Sequence, residues 1–494
     1  MKNQNIIGSY RTSVTAAIKM MMVFTLLMFT SCSKELEEKP KSLAVETFYN
    51  TAAEVEAAVN AIYVPYIQTG EGLALFLAQV ESYVDYGFGR GSYAILNDFA
   101  GLDPTNITRT QSMWGMLYLS IRNANLVIAN APNGSSISQA DIDRFVGEAK
   151  FLRAFDYFFL VRNWSGVPIR TEANMTERDL KRSTADEVYA LIQADLLDAE
   201  NKLPENPTQG GRPSKWAAKT LLAHVYLQLG KNSEARDKAN EVILSNKYSL
   251  VPVTTVDDWQ KIFGPDVVRT TEEIFYVKCA RQAGFGNYYP MFTNHPGTGF
   301  HGAGGFFAQY SDKTNAVYAG QSDADLRKGL WYSWNIGLGS NSILNKKFID
   351  PTASGNLGAG NDQPWYRYAD LLLIYAEAAS RAANGPTPEA MEALNKVHRR
   401  AYGKLPTVPS DVDFNIADYN ATTFIDLIIK ERGYEFQYEG KRWLELKRTG
   451  KAAEIIQAVK GKTIADKFYL WPIPVSEMNY NKALDPVADQ NPGY

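Results

Sequence analysis

The sequence predicts a mainly α fold of paired helices, interrupted by two ordered, aromatic loop regions. Three observations carry that expectation. From about residue 46 onward, apolar residues recur at helical spacing over most of the chain. Cap and break residues divide those stretches into hairpins. Two spans, 80 to 101 and about 280 to 363, instead mix glycine with aromatic residues. Their glycine opposes a helix, and their rings oppose a disordered linker.

The helical elements follow in order. EAKFLRAFDYFFLVRNW (148 to 164) sets Phe151, Phe155, Phe158 or Phe159 and Arg162 at helical spacing. STADEVYALIQADLLDAENKL opens with Ser183 or Thr184 as N-cap, and Glu187 stands three residues after Thr184, as a capping box requires. SKWAAKTLLAHVYLQLGKNSEARDKANEVIL holds two short helices around Gly230-Lys231-Asn232. Its Leu222, Ala223, Tyr226, Ala235 and Ala239 sit at tetratricopeptide offsets, where small residues let two helices approach and bulky ones fill the gap to the next hairpin. Residues 367 to 401 form a second such hairpin, broken at Asn384-Gly385-Pro386, and a helix from Thr422 to about Tyr438 closes the series. Repeats of this kind serve as interaction scaffolds more often than as catalytic centres.

The front end reads as an address. Lys2, Arg11 and Lys19 precede any acidic residue, and MMMVFTLLMFTS (20 to 31) is too short to span a bilayer. Ser31 then Cys32 resembles the cleavage and acylation point of a bacterial lipoprotein signal, with Cys32 the lipidation site and first mature residue. Residues 1–31 are thus the signal peptide and 32–45, opening SKELEEKPKS after the cysteine, a flexible tether. Cys279 is the other of only two cysteines, so no disulfide framework is available. Loss of the three signal cations moves the net formal charge from −3 to −6, which argues against nucleic acid as a partner. The remainder divides into 46–250 and 251–494 within one globule, the second part being loop-rich over 280–363, helical over 364–450 and turn-rich over 451–494.

Six segments together resemble one family. They are WGMLYLSIRNAN (114 to 125), GEAKFLRAFDYFFLVRNWSGVPI (147 to 169), GRPSKWAAKTLLAHVYL (211 to 227), YRYADLLLIYAEA (366 to 378), ERGYEFQYEGKRWLELKRTG (431 to 450) and the ending LWPIP…QNPGY. In order and spacing they are similar to the SusD/RagB-like outer-membrane lipoproteins of Bacteroidota. That resemblance implies a SusD-like helical fold and a lipid-anchored lid over a SusC-like TonB-dependent transporter, facing the cell exterior. Its ligand is an oligosaccharide, or a peptide in the RagB branch. The charged motif residues Glu148, Arg153, Arg367, Glu377, Arg432, Glu435, Glu439 and Arg442 are expected to form ion pairs between helices.

No catalytic constellation stands out. His224, His295, His301 and His398 are not spaced as metal ligands. Gly-Thr-Gly-Phe-His-Gly (297 to 302) fits GxGxxG but follows Asn-His-Pro where a dinucleotide site needs a strand. Carboxylate pairs such as Glu81 with Asp85 are matched by chance pairs throughout, so the chain reads as a binding protein without a cofactor. Sugars offer C–H faces to flat rings and hydroxyls to polar edges. The expected ligand-binding residues are Tyr83, Tyr86, Phe88, Arg90 and Tyr93 in the first loop. In the second they are Tyr288, Tyr289, Phe292 and Asn294, with Trp331 and Trp334 behind them.

Overall fold

A computed structural model describes residues 48–67, 72–302, 304–355 and 358–494. The expected signal peptide, the expected lipidation site Cys32 and the expected tether lie outside the described residues. Asn50–Tyr494 clusters as one unit.

Helices dominate it. Those of seven residues or more are α1 (Ala52–Ile67), α2 (Leu73–Val80), α3 (Pro104–Asn130), α4 (Gln139–Trp164), α5 (Ala185–Lys202), α6 (Lys215–Gln228), α7 (Asn232–Leu244), α8 (Tyr368–Ala383), α9 (Pro388–Ala401), α10 (Ala421–Glu435), α11 (Arg442–Arg448) and α12 (Ala452–Lys460). Local chemistry sets their ends. Asp103 caps α3 by accepting from Asn106 N, with Pro104 at the first helical position. Thr184 and Glu187 complete both bonds of the capping box that opens α5. Asn384 ends α8 in the left-handed region, at φ 55°. α10 stops at Glu435, short of the expected Tyr438, because Tyr438 and Gly440 turn the chain at φ 61° and 74°.

Packing runs in sequence order: α1 on α3, α3 on α4, α4 on α5, α5 on α6, α6 on α7, α7 on α8 and α8 on α9. Leu222, Ala223, Ala235 and Ala239 are fully buried where α6 meets its neighbours, while Tyr226 is half-buried. α4 is wrapped on nearly every side, so its aromatic residues form the centre of the core. Phe155, Phe159, Phe76 and Trp365 meet edge to face or tilted, at centroid separations of 4.7 to 6.2 Å. The tail docks on the end of the same helix: Trp164 Nε1 donates to Pro472 O at 2.9 Å, and Asn491 Nδ2 donates to both Trp164 O and Trp471 O. Among the described residues, no helix is long and apolar enough to cross a membrane.

Two small antiparallel sheets fill the remainder. β2 (Glu273–Val277) pairs with β6 (Gln363–Arg367) beneath α4, where Phe275 meets Phe151 at 4.8 Å. The other has the order β1-β3-β5-β4, built from β1 (Phe88–Gly89), β3 (Gln309–Asp312), β5 (Ser342–Asn345) and β4 (Trp331–Ser333).

The charged motif residues are paired inside the fold. Glu148 meets Arg212 at 2.7 Å, Arg153 meets Asp195 at 2.8 Å, Glu377 meets Arg448 at 2.7 Å and Arg442 meets Asp85 at 2.6 Å. Arg432 pairs with Glu445. Arg367, Glu435 and Glu439 share one cluster with Glu272, Arg400, Arg327 and Lys347. A charge buried in a helical core needs such a partner.

Candidate functional site

The two loop regions singled out by composition meet in the four-stranded sheet. Phe88 pairs with Tyr310 and Gly89 with Gln309, across more than two hundred residues of chain. Asn97 clamps the seam from behind, accepting from Gly89 N and donating to Gly89 O, both at 2.6 Å. Arg90 N donates to Ala308 O at 2.7 Å, and Ser311 Oγ donates to Tyr86 O at 2.6 Å. Gly89 is required there, since a Cβ would stand 2.6 Å from Tyr93 Cβ.

On the outer side of this seam runs a strip of accessible rings. Trp334 faces His295 at 5.4 Å, and His295 faces Phe307 at 4.5 Å. Arg90 lies over Phe307, 4.2 Å from its centroid. Phe88 and Tyr310 follow, 5.5 Å apart and tilted by 32°. All six are half-buried, and Phe306 beside them is 54% exposed. Lys460, at the end of α12, braces the strip by donating to Gly87 O at 2.6 Å and covering the Phe88 ring at 4.6 Å. Burial lowers its ammonium to about 7, against the pull of Asp85 and Asp98. Arg109 of α3 lies 3.8 Å over Tyr93, which touches Phe292 and through it Phe306.

Of the residues expected to touch a ligand, Phe88, Arg90 and Trp334 are in this strip. Tyr288 is half-buried and lines a narrow cleft with Tyr66, Leu73, Cys279 and Gln363. The others are inside. Tyr83 stacks on Trp443 at 5.2 Å, and Tyr86 donates to Glu81. Tyr289 donates to Gln309 Oε1 at 2.6 Å, and Trp331 Nε1 donates to Gln437 Oε1 at 2.9 Å. Asn294 Nδ2 donates to Phe348 O at 3.0 Å, while Tyr93 is 4% exposed under Arg109 and Phe292 is 8% exposed. These seven are buried and packed or hydrogen-bonded within the fold, and Tyr86 with Trp331 and Tyr93 with Phe292 join the two loops. Sequence reasoning missed His295, Phe307 and Tyr310 as members of the face. The paired phenylalanines after Gly-Ala-Gly-Gly were the available signal; nothing in the sequence marks Arg109.

Comparison with known proteins joins this geometry to a family. A model described as the SusD family matches residues 337–494, and one described as starch-binding associating with outer membrane matches 36–227. The chain belongs to the SusD/RagB-like family. A SusD-like protein of Formosa agariphila is 28% identical, the match covering 96% of this chain and 99% of its own. Among solved SusD-like structures, a SusD homolog from Bacteroides thetaiotaomicron superposes with TM-score 0.78 at 23% identity, covering 91% of this chain and 98% of that one. A surface glycan-binding protein A from the same organism, in complex with laminarihexaose, superposes with TM-score 0.72 at 22% identity over 90% of this chain and 100% of that one. The mainly helical SusD fold is therefore shared.

Proposed function

We propose that this SusD-like chain is a surface lipoprotein, anchored in the outer membrane through Cys32, that captures an oligosaccharide and passes it to a SusC-like TonB-dependent transporter. The observation that carries the reading is the accessible run Trp334–His295–Phe307 with Phe88 and Tyr310 beside it. Flat rings in succession suit the C–H faces of consecutive sugars, and the neighbouring guanidinium and imidazole suit hydroxyl edges. A SusD-like neighbour named for laminarin binding, and another bound to laminarihexaose, support a glycan as the ligand class. Capture, and not turnover, is the proposed activity. The helical hairpins are the surface proposed to hold the channel.

Calorimetry of the purified protein against a glycan panel that includes laminarihexaose tests the reading. Binding is expected, with Trp334→Ala weakening it about tenfold, the equivalent of removing one ring from the stack. Absence of binding to any glycan would overturn it. Retention of a peptide pool, insensitive to Trp334→Ala, would replace it with the peptide-capturing lid of RagB-like proteins.

A further inference from the structure

Arginine in this protein is generally matched to carboxylate: Arg153, Arg327, Arg367, Arg400 and Arg442 all sit in buried ion pairs. Outside any ion pair among the described residues are Arg162 and Arg182, which donate to backbone carbonyls, Arg122 and Arg269, and, beside the strip, Arg90 and Arg109. Among the described residues neither of the last two has a carboxylate within ion-pair distance, and the Arg90 guanidinium has no hydrogen-bond acceptor. Arg109 donates only to neutral oxygens, Asn106 Oδ1 at 2.8 Å and Ser92 Oγ at 2.7 Å. Each lies on a ring, Arg90 on the half-buried Phe307 at 4.2 Å and Arg109 on the buried Tyr93 at 3.8 Å. One tight turn links them. Tyr93 N donates to Arg90 O at 3.2 Å, and Ser92 stands between the two side chains in sequence. Acids of the same region are already engaged. Asp98 pairs with Lys462 at 2.7 Å, and Asp312 Oδ1 accepts from Thr314 N and Oγ1 at 2.7 and 2.6 Å.

We infer that the captured oligosaccharide is anionic, carrying carboxylate or sulfate groups that Arg90 and Arg109 bind. The inference rests on the glycan-capture reading above and narrows it. A guanidinium presents a planar fork of N–H donors that matches two oxygens of a carboxylate or a sulfate ester. Stacking on Phe307 fixes the plane of that fork in advance, so less side-chain entropy is lost when the ligand arrives. A neutral sugar stacks on the same rings but leaves both charges without a counter-charge.

Two matched pairs of probes test this by calorimetry. One is a sulfated galactan oligosaccharide with its desulfated counterpart; the other is an oligogalacturonate with its carboxyl-reduced counterpart. At least one charged member is expected to bind about tenfold tighter than its neutral counterpart, the worth of one charge-assisted hydrogen bond. The preference should shrink as salt is raised, and the responding pair tells sulfate from carboxylate. Arg90→Ala should remove most of the preference and Arg109→Ala part of it, with circular dichroism confirming that each variant folds. Equal or tighter binding of the neutral members, or of laminarihexaose, overturns the inference and leaves glycan capture standing. So does a charge preference that survives both substitutions. If neither charged nor neutral sugars bind, glycan capture itself falls and this inference falls with it.

Discussion

Glu81 follows α2 directly and is 1% exposed, with Gly440 N donating to it at 2.6 Å and the Tyr86 hydroxyl donating to its other oxygen. Burial raises its carboxyl from 4.5 to about 7, outweighing those two hydrogen bonds, which favour the ionised form. The folded protein therefore keeps a proton that the unfolded chain releases near 4.5. Between those values the native state binds more protons, so stability from this group is complete below about 4.5 and is lost as pH climbs through about 7. Glu81→Gln mimics the protonated form, with an amide oxygen for Gly440 and an amide donor toward Tyr86. Its urea midpoint is expected to lie close to that of the unsubstituted protein at acidic pH and above it at alkaline pH. A difference between the two proteins that stays constant with pH would show that the folded state holds Glu81 ionised.

At the scale of elements, the pairing of β1 with β3 is the piece on which the accessible strip depends. A strand of two residues has almost no stability alone, so its place is fixed by side chains behind it. Asn97→Ala removes both bonds to Gly89 and leaves that backbone amide and carbonyl without partners. A loss of about 1–3 kcal/mol in unfolding free energy is expected, with the helical signal kept. Faster hydrogen exchange at Gly89 and Arg90, and unchanged exchange in α4, would locate the effect; uniform acceleration would contradict it. This seam also marks the limit of what the sequence discloses. Helices were legible because a periodic apolar face, a Thr184–Glu187 box or an Asn384 break is local information. The ion pairs were legible because Arg153 or Glu377 inside an apolar helix must find a partner. In the glycine-rich loops no periodicity separates inside from outside. Tyr83, Tyr289 and Trp331 therefore read the same as Phe88 and Trp334, although only the latter two reach the surface. Pairing of residue 88 with residue 310 is a long-range event that no local pattern announces.

Across the whole molecule, one buried ion cluster ties the helical hairpins to both sheets. Arg367 ends β6 and caps α8, Arg400 comes from α9, Glu435 ends α10, and Lys347 follows β5. Glu435 meets Arg400 at 2.6 Å, Arg367 at 3.0 Å and Arg327 at 3.3 Å, all with side chains at most 2% exposed. Burial alone would raise its carboxyl, but Arg400, Arg367 and Arg327 outweigh that and hold it below the usual range. Glu435→Gln keeps the shape and removes the charge, leaving three guanidinium groups with Glu272 and Glu439 beside Arg367 and Arg400, and Asp325 and Glu431 beside Arg327, as the remaining counter-charges. Breaking a buried pair in this way costs about 3–5 kcal/mol, because the ions left behind stay desolvated. Since the cluster joins elements from β2 to α10, the loss should appear as one cooperative transition at lower denaturant, not as the release of a single hairpin. Added salt should not restore the stability, because screening acts weakly on buried charges. A loss below about 1 kcal/mol, the range of exposed pairs, or recovery in high salt would mean that water reaches the cluster in solution.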